Sequence, residues 1–531
     1  MTSLEQKVDA LFERWNRPDS PGCAVGIISD GELVYERYFG AASLEFGVPI
    51  GRQTRFQIAS MSKQFTAAGI HLLALRGRLS VDDEIQKHLP DFPRYAWPIA
   101  VRHLLHHTSG LREEGLLHWF RGGVLEGMDN ASLCRLIARQ KSLNYPPGAA
   151  HAYCNSGYTL LAEIIQRVSG QSLRDFTREH IFGPLGMSDS LFDDDCAAVV
   201  PHRAESYGPR PGGFAHQHKT YNAVGAGGML STLRDFAQWD RNFYAPAVGG
   251  PELIARMLER GRLNDGHEIT YASALSHAQY RGLPIVRHGG MILGFRSQLI
   301  RFPEQRFSAI ILANVNPFNP TRLIEQIADI YLAEHFTEPP VTLDMQRPPD
   351  ESALAEQVGM YFDSESGAMS RLSVRQGLLF VEALGAVVPV APIAGRATRY
   401  RSLDGPPLTI EVELKRSAPG GPYQIRLQAE MHTLPVMTHV APVERPAPEL
   451  QACVGDYYSD ELEARWRFEF ADDKLRGGLP SNGPYGELRP GPEGVLFLNG
   501  LVLTFEHDAS GAATGFILTD PRARRIRFVR Q

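Results

Sequence analysis

Leu354, Val358, Gly359, Tyr361 and Phe362 recur, at one constant offset, as Leu450, Val454, Gly455, Tyr457 and Tyr458. Two copies are too few for a solenoid, whose units must stack in threes or more to bury a continuous core, so the echo marks a duplicated domain. Around each copy the chain runs in short strand-like segments and Gly turns with almost no helical period, which predicts two all-β modules. The proline-rich stretch from Ala441 to Pro448 reads as the linker between them. Glu338-Pro339-Pro340 and Arg347-Pro348-Pro349 mark the change of composition ahead of the first copy. Three units are expected: 1–340, 341–445 and 446–531.

The first unit mixes both periods. Leu4, Val8, Leu11, Phe12 and Trp15 form a helical stripe. Two apolar runs, Cys23 to Ser29 and Glu32 to Phe39, flank Asp30-Gly31 and predict a β-hairpin. From Leu79 to Leu185 the pattern is mainly helical; strand-like segments return around His288, Gln298 to Phe302 and Ser308 to Ala313, before a helix from Arg322 to Phe336. Strands at both ends with helices between them predict an α+β domain built on an antiparallel sheet.

Within that domain Ser60 opens an apolar-periodic run (Phe65, Ile70, Leu72, Leu73, Leu75) that reads as a helix ending near Gly77. Lys63 lies one helical turn on, so its amine and the Ser60 hydroxyl face the same side. A serine alcohol needs a proton acceptor to become a nucleophile, and a desolvated lysine can serve. The formal net charge of −6 leaves no nucleic-acid footprint and no polybasic membrane patch. No run is long and apolar enough to span a bilayer, and Met1 to Lys7 lacks a signal-peptide pattern. Five scattered cysteines show neither disulfide nor zinc spacing, so a reduced cytoplasm is the expected compartment.

Farther along come Tyr153-Cys154-Asn155 and Arg287-His288-Gly289-Gly290-Met291. Taken in order with Ser60-Met61-Ser62-Lys63, they resemble the penicillin-recognising serine hydrolases, the class C β-lactamase and serine peptidase S12 group. Leu104 to Leu111, Ile181 to Met187 and Gly225 to Ser231 are similar to that family too. The resemblance implies a β-lactamase/DD-peptidase-like catalytic domain working through an acyl-enzyme, without cofactor or metal. It implies Ser60 as nucleophile, Lys63 and Tyr153 as proton carriers, and Asn155 as an amide holding the substrate carbonyl. Which of Lys63 and Tyr153 carries the proton stays open, since their titrations would be coupled. His288 and Gly290 would line the site, with the backbone N–H of Met291 joining that of Ser60 in an oxyanion hole.

The three-unit layout, with two lipocalin-like antiparallel β-barrels, is similar to the D-aminopeptidases of the group. That likeness implies release of N-terminal D-residues from peptides, amides or esters. It also implies a last-barrel loop entering the cleft, here about Gly477 to Tyr485, with Asn482 as its contact residue. The loop tip carries no acid to meet an ammonium group, and Glu487 is the nearest. His288 stands where a lysine commonly grips a substrate carboxylate, with a charge only partial near pH 7. This favours substrates other than β-lactams. A carboxylesterase, amidase or weak β-lactamase with the same residues is one alternative, and a non-enzymatic binder on this scaffold is another. A homodimer is an assembly the family allows. His103, His106 and His107 have metal-ligand spacing but precede a turn the family uses structurally, and His216 and His218 read as solvated.

Overall fold

The computed structural model describes residues 3–123, 126–345, 354–383, 386–396, 398–403, 409–429, 432–479 and 483–531. The first unit is organised on a six-stranded antiparallel sheet. Its order is Ser276–Tyr280, Leu283–Ile292, Phe295–Phe302, Phe307–Ala313, Cys23–Ser29 and Glu32–Phe39. The hairpin turn is as the sequence predicts: Asp30 and Gly31 both take positive φ, which a two-residue type I′ connection requires.

Side chains alternate across each strand, and this sheet is apolar on both faces, so it must be covered twice. Val25, Ile27, Ile300 and Ile311 face the helices Leu4–Phe12 and Pro320–Tyr331, packing on Val8, Phe12, Ile324 and Ile327. Ala24, Ile28, Leu299 and Ile310 face the other way, into a larger core with helices Lys63–Leu75 and Asn155–Ser169. Each aliphatic side chain fully buried this way contributes about 1.5–3 kcal/mol. A three-layer domain results, with the strand Leu283–Ile292 next to the sheet edge.

Beyond Gly359 the described residues form two nine-stranded antiparallel sheets. The first closes into a barrel where Ile410–Arg416 pairs with Tyr423–Ala429. The second runs from Tyr485–Glu487 round to Arg489–Pro490, so only Leu488 separates its two end strands and the barrel is nearly closed. These are the α+β domain and the two antiparallel barrels expected. The last barrel shares its apolar core with the first unit: Leu117, Phe120 and Leu136 pack with Trp466, Phe516 and Phe528. Trp466 Nε1 donates to Phe120 O at 2.9 Å across the joint.

Candidate active site

Ser60 does not open the helix. It sits in a 3-10 turn, Ala59–Ser62, and the α-helix begins at Lys63. Ala59 is held at φ +51°, a left-handed conformation incompatible with an α-helix and of the kind that collects at functional turns. The turn is clamped from both sides. Ile58 N donates to Met229 O at 3.0 Å, and Ser297 Oγ donates to Ile58 O at 2.8 Å. On the strand Leu283–Ile292, Gly290 presses against this turn: a Cβ there would lie 2.3 Å from Ile58 O and 2.4 Å from Ser297 Oγ. Only glycine lets the strand approach so closely.

Lys63 is fully buried, and its Nζ reaches Asn155 Oδ1 at 2.7 Å, Ala226 O at 2.6 Å and Ser60 Oγ at 3.3 Å. Burial pulls its pKa down to about 7, against the opposing pull of the Glu113 and Glu114 carboxyls. The Tyr153 ring lies 4.9 Å from Nζ. Burial drives the Tyr153 phenol well above its ordinary range, while the Ser60 hydroxyl and the Arg522 charge act the other way. At neutral pH, therefore, the phenol keeps its proton and the amine is the group that titrates.

Asn155 stands at the first position of the helix Asn155–Ser169 and is fixed by a residue the motif reading missed. Glu113 accepts from Asn155 N and from Asn155 Nδ2, both at 2.7 Å. That bidentate grip turns Asn155 Oδ1 toward Lys63. The neighbouring Glu114 is buried and its carboxyl is pushed up to about 8, so it adds little negative charge at pH 7. Nothing in the pair Glu113-Glu114 signals this role in sequence; only the fold brings it to Asn155.

His288 is completely buried, its Nδ1 2.7 Å from Gly289 O and its Nε2 3.0 Å from the Tyr271 hydroxyl, which also lies 3.2 Å from His107 Nε2. Burial and the nearby Lys63 pull His288 down to about 3. The partial cation expected there is therefore a correction: His288 is neutral at pH 7 and works as a hydrogen-bonded strut. His107 is a strut as well, since its Nδ1 accepts from Cys154 N at 3.2 Å. Met291 pairs with Arg296, and its side chain is exposed. The strand Ser276–Tyr280 reaches only as far as Arg287, so the segment carrying Met291 has no further strand on that side among the described residues.

A cavity of about 710 Å³ opens from Tyr153 toward both barrels. Asn482, expected to reach it, lies outside the described residues. Glu487 lines it but is paired with Lys474 at 2.9 Å. The turn between the last-barrel strands Ala513–Asp520 and Ala523–Arg530 lies against this cavity. Arg522 O accepts from Glu113 N and from Asn144 Nδ2, each at 2.9 Å, and Arg524 N donates to Asn144 Oδ1 at 2.7 Å. Asp520 and Arg522 from this turn both line the cavity. Arg522 N donates to Asp520 Oδ1 at 2.8 Å, and burial pushes the Asp520 carboxyl up.

Residues 5–333 match a protein-family description, Beta-lactamase. The chain is 28% identical over 506 residues to a D-aminopeptidase of Cereibacter sphaeroides, covering 93% of this chain and 90% of that protein. A D-aminopeptidase of Brucella anthropi is 30% identical over 301 residues, 55% of this chain and 56% of that one. Among solved structures, an octameric penicillin-binding protein homologue from Pyrococcus abyssi superposes with a TM-score of 0.59 at 23% identity, over 82% of this chain and all of that one. A D-amino acid amidase from Ochrobactrum anthropi SV3 superposes with a TM-score of 0.52 at 22% identity, over 62% of this chain and 96% of that one.

Proposed function

The chain belongs to the Beta-lactamase family and is a serine hydrolase, and from that premise we propose that it releases N-terminal D-amino acids from peptides, amides or esters through a Ser60 acyl-enzyme. The observation that carries the reading is Lys63, buried, with a pKa near 7 and 3.3 Å from Ser60 Oγ. Neutral Lys63 takes the Ser60 proton as Oγ attacks the carbonyl carbon. The backbone N–H groups of Ser60 and Met291 receive the developing oxyanion, and the Asn155 amide holds the substrate. When the tetrahedral intermediate collapses, the C–N bond breaks and Tyr153 passes a proton to the departing amine. Water then adds to the ester, the proton returns by the same groups, and Ser60 is freed.

Two features support the substrate class. Neutral His288 offers no cation for a carboxylate beside the scissile bond, which disfavours β-lactams and C-terminal peptides. Asp520 supplies the carboxylate that the tip of the Gly477–Tyr485 loop lacks, on the cavity wall shared with Tyr153, where an α-ammonium group would find it. D-aminopeptidases among the relatives support the same class.

The test is covalent labelling by a fluorophosphonate across pH 5 to 9, followed by turnover of D- and L-alanine p-nitroanilides. Labelling should vanish in Ser60→Ala. Because the base acts when neutral, the rate should fall about tenfold per pH unit below 7 and level off above it. Undiminished labelling of Ser60→Ala overturns the nucleophile, and equal turnover of the two enantiomers overturns the D-selectivity.

A further inference from the structure

Away from the cleft, the hairpin of Tyr207–Arg210 and Gly213–His216 carries a cluster that the Ser60 chemistry does not use. Its register sets Tyr207 opposite His216. Gln217 N donates to Ser206 O at 2.8 Å, which extends the ladder one step and brings Glu205 opposite His218. Alternation along each strand then puts Glu205, His216 and His218 on one face. One ligand atom from each lies within 4.8 Å of the other two. His216 Nε2 is 2.6 Å from Glu205 Oε2, and the two imidazole centroids are 3.6 Å apart.

The three side chains stand on fixed backbone. Glu205 N donates to Ala42 O at 2.9 Å, and Asn314 Nδ2 donates to Glu205 O at 2.9 Å. The His216 ring stacks on Tyr207 with centroids 5.5 Å apart. Its second nitrogen, Nδ1, lies 4.0 Å from Glu45 Oε1, a carboxylate anchored by the Tyr207 hydroxyl. Glu45 stands beyond hydrogen-bond distance of that nitrogen, while Nε2 is turned into the ligand cluster. Two imidazoles and one carboxylate suit zinc, with a fourth position for water.

We propose that Glu205, His216 and His218 bind a divalent transition-metal ion, zinc by their donor set, and that the ion clamps the two strands of this hairpin together. The hairpin rests on the turn that follows the strand of His288 and Gly290: a Cβ on Gly294 would lie 2.4 Å from Tyr207 N. Tyr207 N also donates to Asn314 O at 3.0 Å. The ion braces this side of the sheet and takes no part in the Ser60 reaction.

The experiment uses the full chain, stripped with a chelator and titrated with zinc by calorimetry and with cobalt(II) by visible spectroscopy. One equivalent should bind with tetrahedral cobalt bands and raise the melting temperature, reversibly on EDTA addition. His218→Ala, at an exposed position, and His216→Ala should each abolish that equivalent. Far-UV circular dichroism establishes that each variant is folded. Zinc uptake unchanged in the His216→Ala/His218→Ala double variant, or no uptake by the unaltered chain, overturns the proposal.

Discussion

The two barrels began from one pattern and stand in different relations to the rest of the molecule. Inside each, the echoed residues do the same work. Tyr361 and Tyr457 are both buried, and each hydroxyl donates to the carbonyl four residues upstream, Gln357 O at 2.6 Å and Cys453 O at 3.0 Å. Gly359 and Gly455 both take strongly positive φ ahead of them. Outside, the barrels diverge. The first meets the catalytic unit through Arg401 and Glu325, 2.7 Å apart, with Asn319 and Thr409 close by. The last reverses the polarity, offering Glu461 to a catalytic-unit arginine, Arg112, at 2.5 Å. It adds the shared apolar core around Trp466 and the turn holding Asp520 and Arg522. The repeated positions therefore build the barrel frame; both copies line the cavity, and the positions that differ decide which copy also shares an apolar core with the catalytic unit and sets a turn against Glu113.

That contrast can be broken most forcefully at Arg112, which also donates to Gln140 Oε1 at 2.8 Å and to Arg525 O at 3.0 Å. Arg112→Ala leaves the Glu461 carboxylate buried and uncompensated, and should cost about 3–5 kcal/mol of unfolding free energy in urea. It should also reduce Ser60 labelling, because Glu113 is the next residue in the chain. Arg401→Ala, at the joint where the described residues share no apolar core, should cost about 1.5–3 kcal/mol and leave Ser60 labelling intact. A matching loss of labelling in both variants would mean that the two barrels support the cleft equally. The smallest effect sharpens the contrast most. Asp520→Asn keeps an acceptor for Arg522 N, so it should leave stability unchanged while lowering kcat/KM for D-alanine p-nitroanilide about tenfold. N-acetylated substrate should be unaffected, and a parallel fall for both substrates would remove Asp520 from amine recognition.

What could be read in the sequence followed from range. The Asp30-Gly31 turn, the helix after Lys63 and the alternating barrel strands depend on neighbours a few residues away, so pattern alone finds them. Ser60, Lys63, Tyr153, Asn155 and His288 were legible as short ordered motifs, and the fold brings Lys63 against Ser60 and Asn155. Their electrical state was not legible: the neutrality of His288 comes from burial and from Lys63, which no local pattern reports. Glu113 was missed because its grip on Asn155 spans the fold. The 3-10 start at Ser60 escaped because helical periodicity cannot see a single left-handed residue at Ala59. The tip of the Gly477 to Tyr485 loop, which glycine and proline advertise, lies outside the described residues. The tight turn at Asp520 to Arg522 carries its own signal, Asp520-Pro521, but nothing local tells that it meets the catalytic unit.

The joint between Phe120 and Trp466 spans 346 positions of chain. At roughly 5–20 residues per second of synthesis, about 17–70 s separate the making of Phe120 from that of Trp466, the barrel residue it packs against. During that interval a greasy surface stands uncovered beside a half-built cleft, with Ser60 and Lys63 already made and the far wall still unwritten. A nascent chain of this design needs a companion for that patch, or speed.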